Sequence, residues 1–129
     1  MDWGKWFAKK YKLYINGEFI ENDVREMIDV INPANEEVIA QIPNATEDDV
    51  NAAVDAAFEA QKEWGKLTYT ERAGYLYELA DLIDENHDLF AWANSLEVGK
   101  RMVESNDEAS WFAEYLRYYA RLARSVKGE

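Results

Sequence analysis

A chain of 129 residues that is 48% hydrophobic and 14% aromatic is long and apolar enough to fold as one globular domain, and too apolar for intrinsic disorder. Its 26 acidic and 14 basic residues give a net charge of -12, which disfavours binding to nucleic acid or to anionic membranes. Cysteine is absent and His87 is the single histidine, which excludes disulfides, thiolate metal sites and imidazole clusters within this chain. No apolar run has the length of a membrane span or of a signal-peptide core, so we expect a cytoplasmic protein without nucleic-acid or membrane partners.

The first third of the chain predicts β-structure after a short lead. Residues 1–11 place aromatic side chains at helical spacing between lysines, which indicates a short amphipathic lead. This lead either packs on its own domain or is disordered, and a weaker alternative is that it lies on a membrane surface. Residues 12–43 alternate apolar and polar side chains and predict a small antiparallel β-meander. Asn16 and Gly17 are the favoured pair for a two-residue hairpin turn.

Residues 46–127 repeat their apolar side chains at a period of 3.6 and predict three or four packed helices. Thr46 is the expected first N-cap, and Thr68 with Glu71 predicts a capping box for the second helix. A polar break follows near Asn86, and Gly99 is the expected helix end. The apolar positions that recur at this period and need to be covered include Val50, Val54, Phe58, Trp64, Ala73, Leu79, Ala80, Ile83, Phe90, Trp111, Phe112, Tyr115, Tyr119 and Leu122.

Few residue patterns in this sequence point to chemistry. The six glycines are scattered, so neither a dinucleotide fingerprint nor a phosphate-binding loop is present. Paired carboxylates fall at helix starts and on polar faces, where solvated surface is their ordinary role. His87 lies in the polar break and is expected to be exposed or capping. Core packing, rather than a stacking platform, is the preferred interpretation of five tyrosines: Tyr75, Tyr77, Tyr115, Tyr118 and Tyr119.

Six segments follow one another in an order that resembles the beginning of the aldehyde dehydrogenase superfamily. They read LYINGEFI, IDVINPANEEVIAQIP, ATEDDVNAAVDAAFEAQKEW, ERAGYLYELADLIDEN, LEVGK and EYLRYYARLARSVKGE. The resemblance covers residues 11–129, and the segments IDVINPA and EAQKEW are similar to those of lactaldehyde or glycolaldehyde dehydrogenases.

The resemblance implies a piece of an enzyme, because the family's cysteine nucleophile, its catalytic glutamate and its cofactor loops lie later in the family's chain. No catalytic or cofactor-binding residue is therefore expected here, and the chain alone is expected to be inactive and to bind no cofactor. The whole enzyme would oxidise an aldehyde to a carboxylic acid with NAD or NADP. The implied partners are the remainder of the dehydrogenase chain or a second copy, and the aldehyde is a substrate only of the full-length enzyme.

One family site begins within these residues. Some members hold a structural monovalent cation with main-chain oxygens just before an Asn-Pro pair and with a carboxylate two residues before a Gly-Lys pair. The matching positions are Val30, Ile31 and Glu97. Oxygen ligands suit a hard cation, but this chain has glutamate where those members usually have aspartate.

The resemblance also implies the fold class. We expect a single partial domain over residues 1–129, of class α+β, that forms the outer part of an α/β cofactor domain. One helical face would then be exposed in this chain, with Trp111, Phe112, Tyr115 and Tyr119 as candidates for it. The alternative interpretation is a stand-alone helical protein-interaction module without catalytic activity.

Overall fold

The computed structural model describes residues 10–21, 25–123 and 125, so most of the predicted lead lies outside the described residues. Within these ranges four strands precede four helices, which confirms the α+β class. The strands are β1 (Leu13–Ile15), β2 (Glu18–Ile20), β3 (Met27–Ile31) and β4 (Val38–Pro43). The helices are α1 (Glu47–Trp64), α2 (Tyr69–Glu85), α3 (His87–Val98) and α4 (Met102–Leu122). The chain divides into two compact units, Met1–Gly65 and Lys66–Glu129, and each is described by itself.

Strands β1 and β2 form an antiparallel hairpin in which Leu13 lies opposite Ile20. The turn between them places Asn16 at φ 53° and Gly17 at φ 83°. Positive φ at both central residues defines the type I′ turn, whose twist matches that of the flanking strands, and asparagine and glycine tolerate this conformation best. The hairpin turn predicted from the sequence is confirmed.

Strands β3 and β4 form a second antiparallel pair, so the described strands build two separate two-stranded sheets. The loop between them is held by Asn32, whose carbonyl oxygen accepts from the backbone N–H of Glu36 at 2.8 Å. The Asn32 side-chain oxygen also accepts from the N–H of Ala34 at 2.9 Å. These bonds explain why Asn-Pro marks a tight turn at this point.

Helix α1 begins with a reciprocal capping box. The Thr46 hydroxyl accepts from the backbone N–H of Asp49, and the Asp49 carboxylate accepts from the N–H of Thr46 at 2.9 Å. Helix α1 lies against β1, yet its large apolar side chains, such as Val54 and Phe58, are exposed. Among the described residues of α1, Asp49 alone is buried.

The second unit is a helical bundle in which α4 packs against both α2 and α3. Thr68 and Glu71 form the expected capping box at the start of α2, and Gly99 ends α3 in the left-handed conformation at φ 75°. Ala80, Ile83 and Ala113 form the buried cluster, with Leu116 packed against it.

The buried core is made of small side chains. Among the described residues of the helical bundle, Ile83 is the largest apolar side chain that is fully buried, and the other buried aliphatic side chains are alanines. Leu79 and Phe90, two of the apolar positions that need to be covered, are exposed. Because hydrophobic stabilisation grows with the apolar area removed from water, an alanine core stabilises the bundle far less than a core of leucines would.

Candidate functional site

The residues matched to the family's cation site lie in different units. Val30 and Ile31 are neighbours on β3, and Glu97 is an exposed residue in the last turn of α3. Within the described ranges, no group of three or more acidic, histidine or cysteine side chains is placed to hold a metal ion. Main-chain oxygens fall outside that finding, so the cation site at Val30, Ile31 and Glu97 stays a prediction.

The Gly99-Lys100 pair is tied into the α3–α4 turn. Lys100 Nζ donates to both carboxylate oxygens of Glu108 at 2.6 Å, and Asn94 Nδ2 donates to the same carboxylate at 2.7 Å. These donors, Lys100 first, hold the pKa of Glu108 below its ordinary value because they stabilise the charged form. The Ser95 hydroxyl donates to the Lys100 carbonyl at 2.8 Å. The motif therefore fixes how α3 leads into α4.

His87 also joins α3 to α4. Its Nε2 lies 3.0 Å from the carbonyl oxygen of Asn106 and 3.2 Å from Ser110 Oγ, and the side chain is half-buried. A carbonyl oxygen can only accept, so this contact is a hydrogen bond when Nε2 carries the proton. The sequence had indicated an exposed or capping residue, whereas the structure gives His87 an interhelical hydrogen bond.

Each of the four described helices carries at least one acidic side chain in its first turn. Helix N-termini are natural phosphate sites, but Asp49 and Glu71 already occupy the first turns of α1 and α2 with their own negative charge. Gly17 serves the hairpin turn, and Gly99 ends a helix. Among the described helices, we find none with both the length and the hydrophobicity of a membrane span.

Helix α4 carries two apolar faces of opposite character. The inner face consists of the buried small residues Ser105, Ala109, Ala113 and Ala120, which point towards the rest of the bundle. The outer face carries an aromatic stripe, defined as Trp111, Tyr115, Tyr118 and Leu122, spaced four, three and four residues apart. The first three are 57%, 61% and 56% exposed. A helix that is apolar on two sides is typical of one covered on both.

Two further aromatic residues, Phe112 and Tyr119, flank the stripe and are also exposed. The exposure that the resemblance implied for Trp111, Phe112, Tyr115 and Tyr119 is confirmed. The core packing predicted for the five tyrosines is wrong, because all of them, Tyr75, Tyr77, Tyr115, Tyr118 and Tyr119, are exposed in this chain. Periodicity detects an apolar face and cannot say which molecule covers it.

Comparison with known proteins identifies relatives for almost the whole chain. A (Z)-2-((N-methylformamido)methylene)-5-hydroxybutyrolactone dehydrogenase of Acinetobacter baylyi is 40% identical over 122 residues, which are 93% of this chain and 25% of that protein. The crystal structure of lactaldehyde dehydrogenase from Escherichia coli matches with a TM-score of 0.90 at 36% identity, over 93% of this chain and 25% of that one. An NAD-dependent aldehyde dehydrogenase from Sinorhizobium meliloti matches with a TM-score of 0.89 at 30% identity, over 95% and 25%.

The chain thus spans about a quarter of the length of the relatives that it matches. The aldehyde dehydrogenase family matches residues 19–129, which include all the described helices and most of the strands. By this match and by its relatives, the chain belongs to the aldehyde dehydrogenase family.

Proposed function

We propose that this chain is the N-terminal segment of an NAD(P)-dependent aldehyde dehydrogenase and is inactive alone. The observation that carries the proposal is the exposure of bulky apolar side chains in a chain that matches a lactaldehyde dehydrogenase with a TM-score of 0.90. Such an arrangement suits a segment whose exposed faces are covered by further polypeptide.

The whole enzyme would oxidise an aldehyde to the carboxylic acid. The nicotinamide cofactor supplies the acceptor for the hydride. The chain has no cysteine to act as the nucleophile, and the acidic first turns of its described helices disfavour a bound phosphate. We therefore assign it a scaffolding role, in which its helices support a catalytic centre built by the remaining polypeptide. A cytoplasmic location, expected for an acidic chain without a membrane-span pattern, belongs to the same proposal.

A chimera tests this function. The first quarter of the Sinorhizobium meliloti NAD-dependent enzyme is replaced by residues 1–129 of this chain, and NADH formation is followed with NAD and short aldehydes. The matched control is the same enzyme with its first quarter deleted. We expect the chimera to form NADH and the deletion variant to form none. A folded chimera with no more activity than the deletion variant would contradict the proposal.

A further inference from the structure

Asn16 and Gly17 form a chemically reactive pair at the tip of the β1–β2 hairpin. The side-chain amide of an asparagine can be attacked by the backbone nitrogen of the next residue, which closes a five-membered succinimide ring. The attack needs an unhindered nitrogen, and glycine provides one because it has no Cβ. Of the nine asparagines in this chain, Asn16 is the one that precedes a glycine.

The turn is open to solvent. Asn16 and Gly17 are both exposed. Outside the adjoining residues, the atom nearest to the place that a Cβ of Gly17 would take is the Tyr14 hydroxyl oxygen, at 4.0 Å. The attacking nitrogen is therefore uncrowded, and water can reach both carbonyl groups of a ring that forms here.

The backbone of the turn is close to the shape that the ring requires. Asn16 has φ 53°, and a type II′ turn has φ of about 60° at the same position. Ring closure holds ψ near about −120°, which is the type II′ value, whereas a type I′ turn has ψ of about 30°. Both turn types join hairpin strands through two residues. Rotation of the single peptide between Asn16 and Gly17 therefore prepares the attack while β1 and β2 stay paired.

Asn51 is also exposed but lacks this preparation. It lies within helix α1, where the backbone N–H of the following Ala52 is bonded to the preceding turn of the helix. The methyl group of Ala52 also crowds the nitrogen that would attack. Ring closure at Asn51 therefore requires local opening of α1. The two asparagines form a matched pair within one chain.

We propose that Asn16 is a site of spontaneous deamidation that proceeds in the folded chain and alters the hairpin. The Gly17 nitrogen bonds to Asn16 Cγ and loses its proton, the Cγ–Nδ2 bond breaks, and ammonia leaves. Water then opens the ring at one of its two carbonyl groups, which gives aspartate or isoaspartate. Either product makes the net charge of the chain, now -12, more negative by one unit. The reaction uses residues of this chain and water, so its outcome is independent of the proposed function.

The two products differ in their effect on the hairpin. Aspartate followed by glycine is a favoured type I′ pair and retains the turn. Isoaspartate adds a methylene carbon to the main chain and disrupts the two-residue loop that sets Leu13 opposite Ile20. The turn lines a groove together with Ala53 and Ala57 of α1, so the isoaspartate form also changes this contact.

Incubation of the full chain at mildly alkaline pH, with and without guanidinium chloride, tests the inference. Peptide mapping by mass spectrometry follows Asn16 and Asn51 in the same samples. In the folded chain we expect Asn16 to be converted at least about ten times faster than Asn51. We expect unfolding to accelerate conversion by more than about tenfold at Asn51 and by less than this at Asn16. Equal suppression of the two sites by folding would overturn the inference.

Asn16→Gly is the matched variant, because Gly-Gly also forms type I′ turns and carries no side-chain amide. Anion exchange of the aged native chain is expected to show a more acidic form that the aged variant lacks. In molecules that carry isoaspartate, we expect the hairpin amides to exchange with solvent at least about ten times faster than in the aged variant. An equally abundant acidic form in the variant would overturn the inference, as would unchanged hairpin exchange in the isoaspartate form.

Discussion

The guanidinium of Arg25 and the carboxylate of Asp49 form a two-bonded ion pair that joins the segment before β3 to the first turn of α1. Arg25 Nε donates to Asp49 Oδ2 at 2.8 Å, and Nη2 donates to Oδ1 at 2.5 Å. Both side chains are almost fully buried, at 12% and 9% exposure. Asp49 therefore takes part in both the capping box and the ion pair, and it links the segment before β3 to helix α1 in the first unit.

This pair predicts a specific dependence of stability on pH. Hydrogen bonds from Arg25, followed by those from Thr46, hold the pKa of Asp49 below its ordinary value of 3.8. The unfolded chain therefore binds the proton more readily, so the pair stabilises the folded state fully above that value, and the contribution is lost as the pH falls towards the lower folded pKa. We expect Arg25→Met to reduce stability at pH 7 and to flatten the loss of stability on acidification, as measured by urea unfolding.

The control for Arg25 is Lys12→Met, because Lys12 and Glu21 form an ion pair that is exposed to water. We expect this control to leave both the stability at pH 7 and its acid dependence nearly unchanged. An Arg25 variant with the pH profile of the native chain would show that the buried pair contributes nothing.

Ile83 and Leu82 are neighbours on α2 with opposite surroundings, at 2% and 55% exposure. Ile83→Ala leaves a cavity in the helical bundle and is expected to cost about 2 to 5 kcal/mol of unfolding free energy. Leu82→Ala removes a similar volume from the surface and is expected to cost less than about 0.5 kcal/mol. Denaturant unfolding followed by circular dichroism measures both. Equal losses would mean that the buried cluster does not hold the bundle together.

Replacing Ser105 with alanine is expected to increase the stability of the chain. Its side chain is fully buried on the inner face of α4, and its hydroxyl has no hydrogen-bond partner among the described residues. Because a buried unpaired hydroxyl carries an uncompensated desolvation cost, Ser105→Ala is expected to raise the unfolding free energy by about 1 kcal/mol. Ser110→Ala is the control on the same helix, since the Ser110 hydroxyl is exposed and bonds to the Asn106 carbonyl. Thermal unfolding that shows Ser105→Ala to be destabilising would contradict this assignment.

His87 makes the α3–α4 contact visible by spectroscopy. Its Nε2 must carry a proton to donate to the Asn106 carbonyl, so neutral imidazole is expected in the Nε2–H tautomer. Nitrogen NMR of the labelled chain can read the tautomer without ambiguity, because the sequence contains a single histidine. At alkaline pH we expect Nδ1 to show the chemical shift of an unprotonated ring nitrogen. This signal is expected to be absent from the spectrum of His87→Gln. An Nδ1–H tautomer would rule out the interhelical bond.

The local structure of this chain could be predicted from its sequence because short motifs determine it. The type I′ turn follows from two residues that tolerate positive φ, Asn16 and Gly17. The starts of α1 and α2 follow from Thr46 and Thr68, each with an acidic residue three positions later that completes a capping box. Each of these features depends on residues close together in the sequence.

The division between inside and outside could not be predicted in the same way. The period of 3.6 marks Phe58 and Tyr115 as apolar-face residues, and both are exposed here. The Arg25–Asp49 pair joins residues 24 positions apart, and no local sequence pattern predicts it. The exposure of Tyr115 was implied by the resemblance to a larger enzyme, since periodicity cannot register polypeptide that the sequence does not contain.

The most direct test of the central claim is to incubate the isolated chain with NAD, and separately with NADP, in the presence of short aldehydes and to follow the reduced cofactor. The account predicts no reduced cofactor from the isolated chain, because the chain has no cysteine to attack the aldehyde. Sustained turnover by the purified 129-residue chain would contradict the account, since the reactive centre would then lie within this segment.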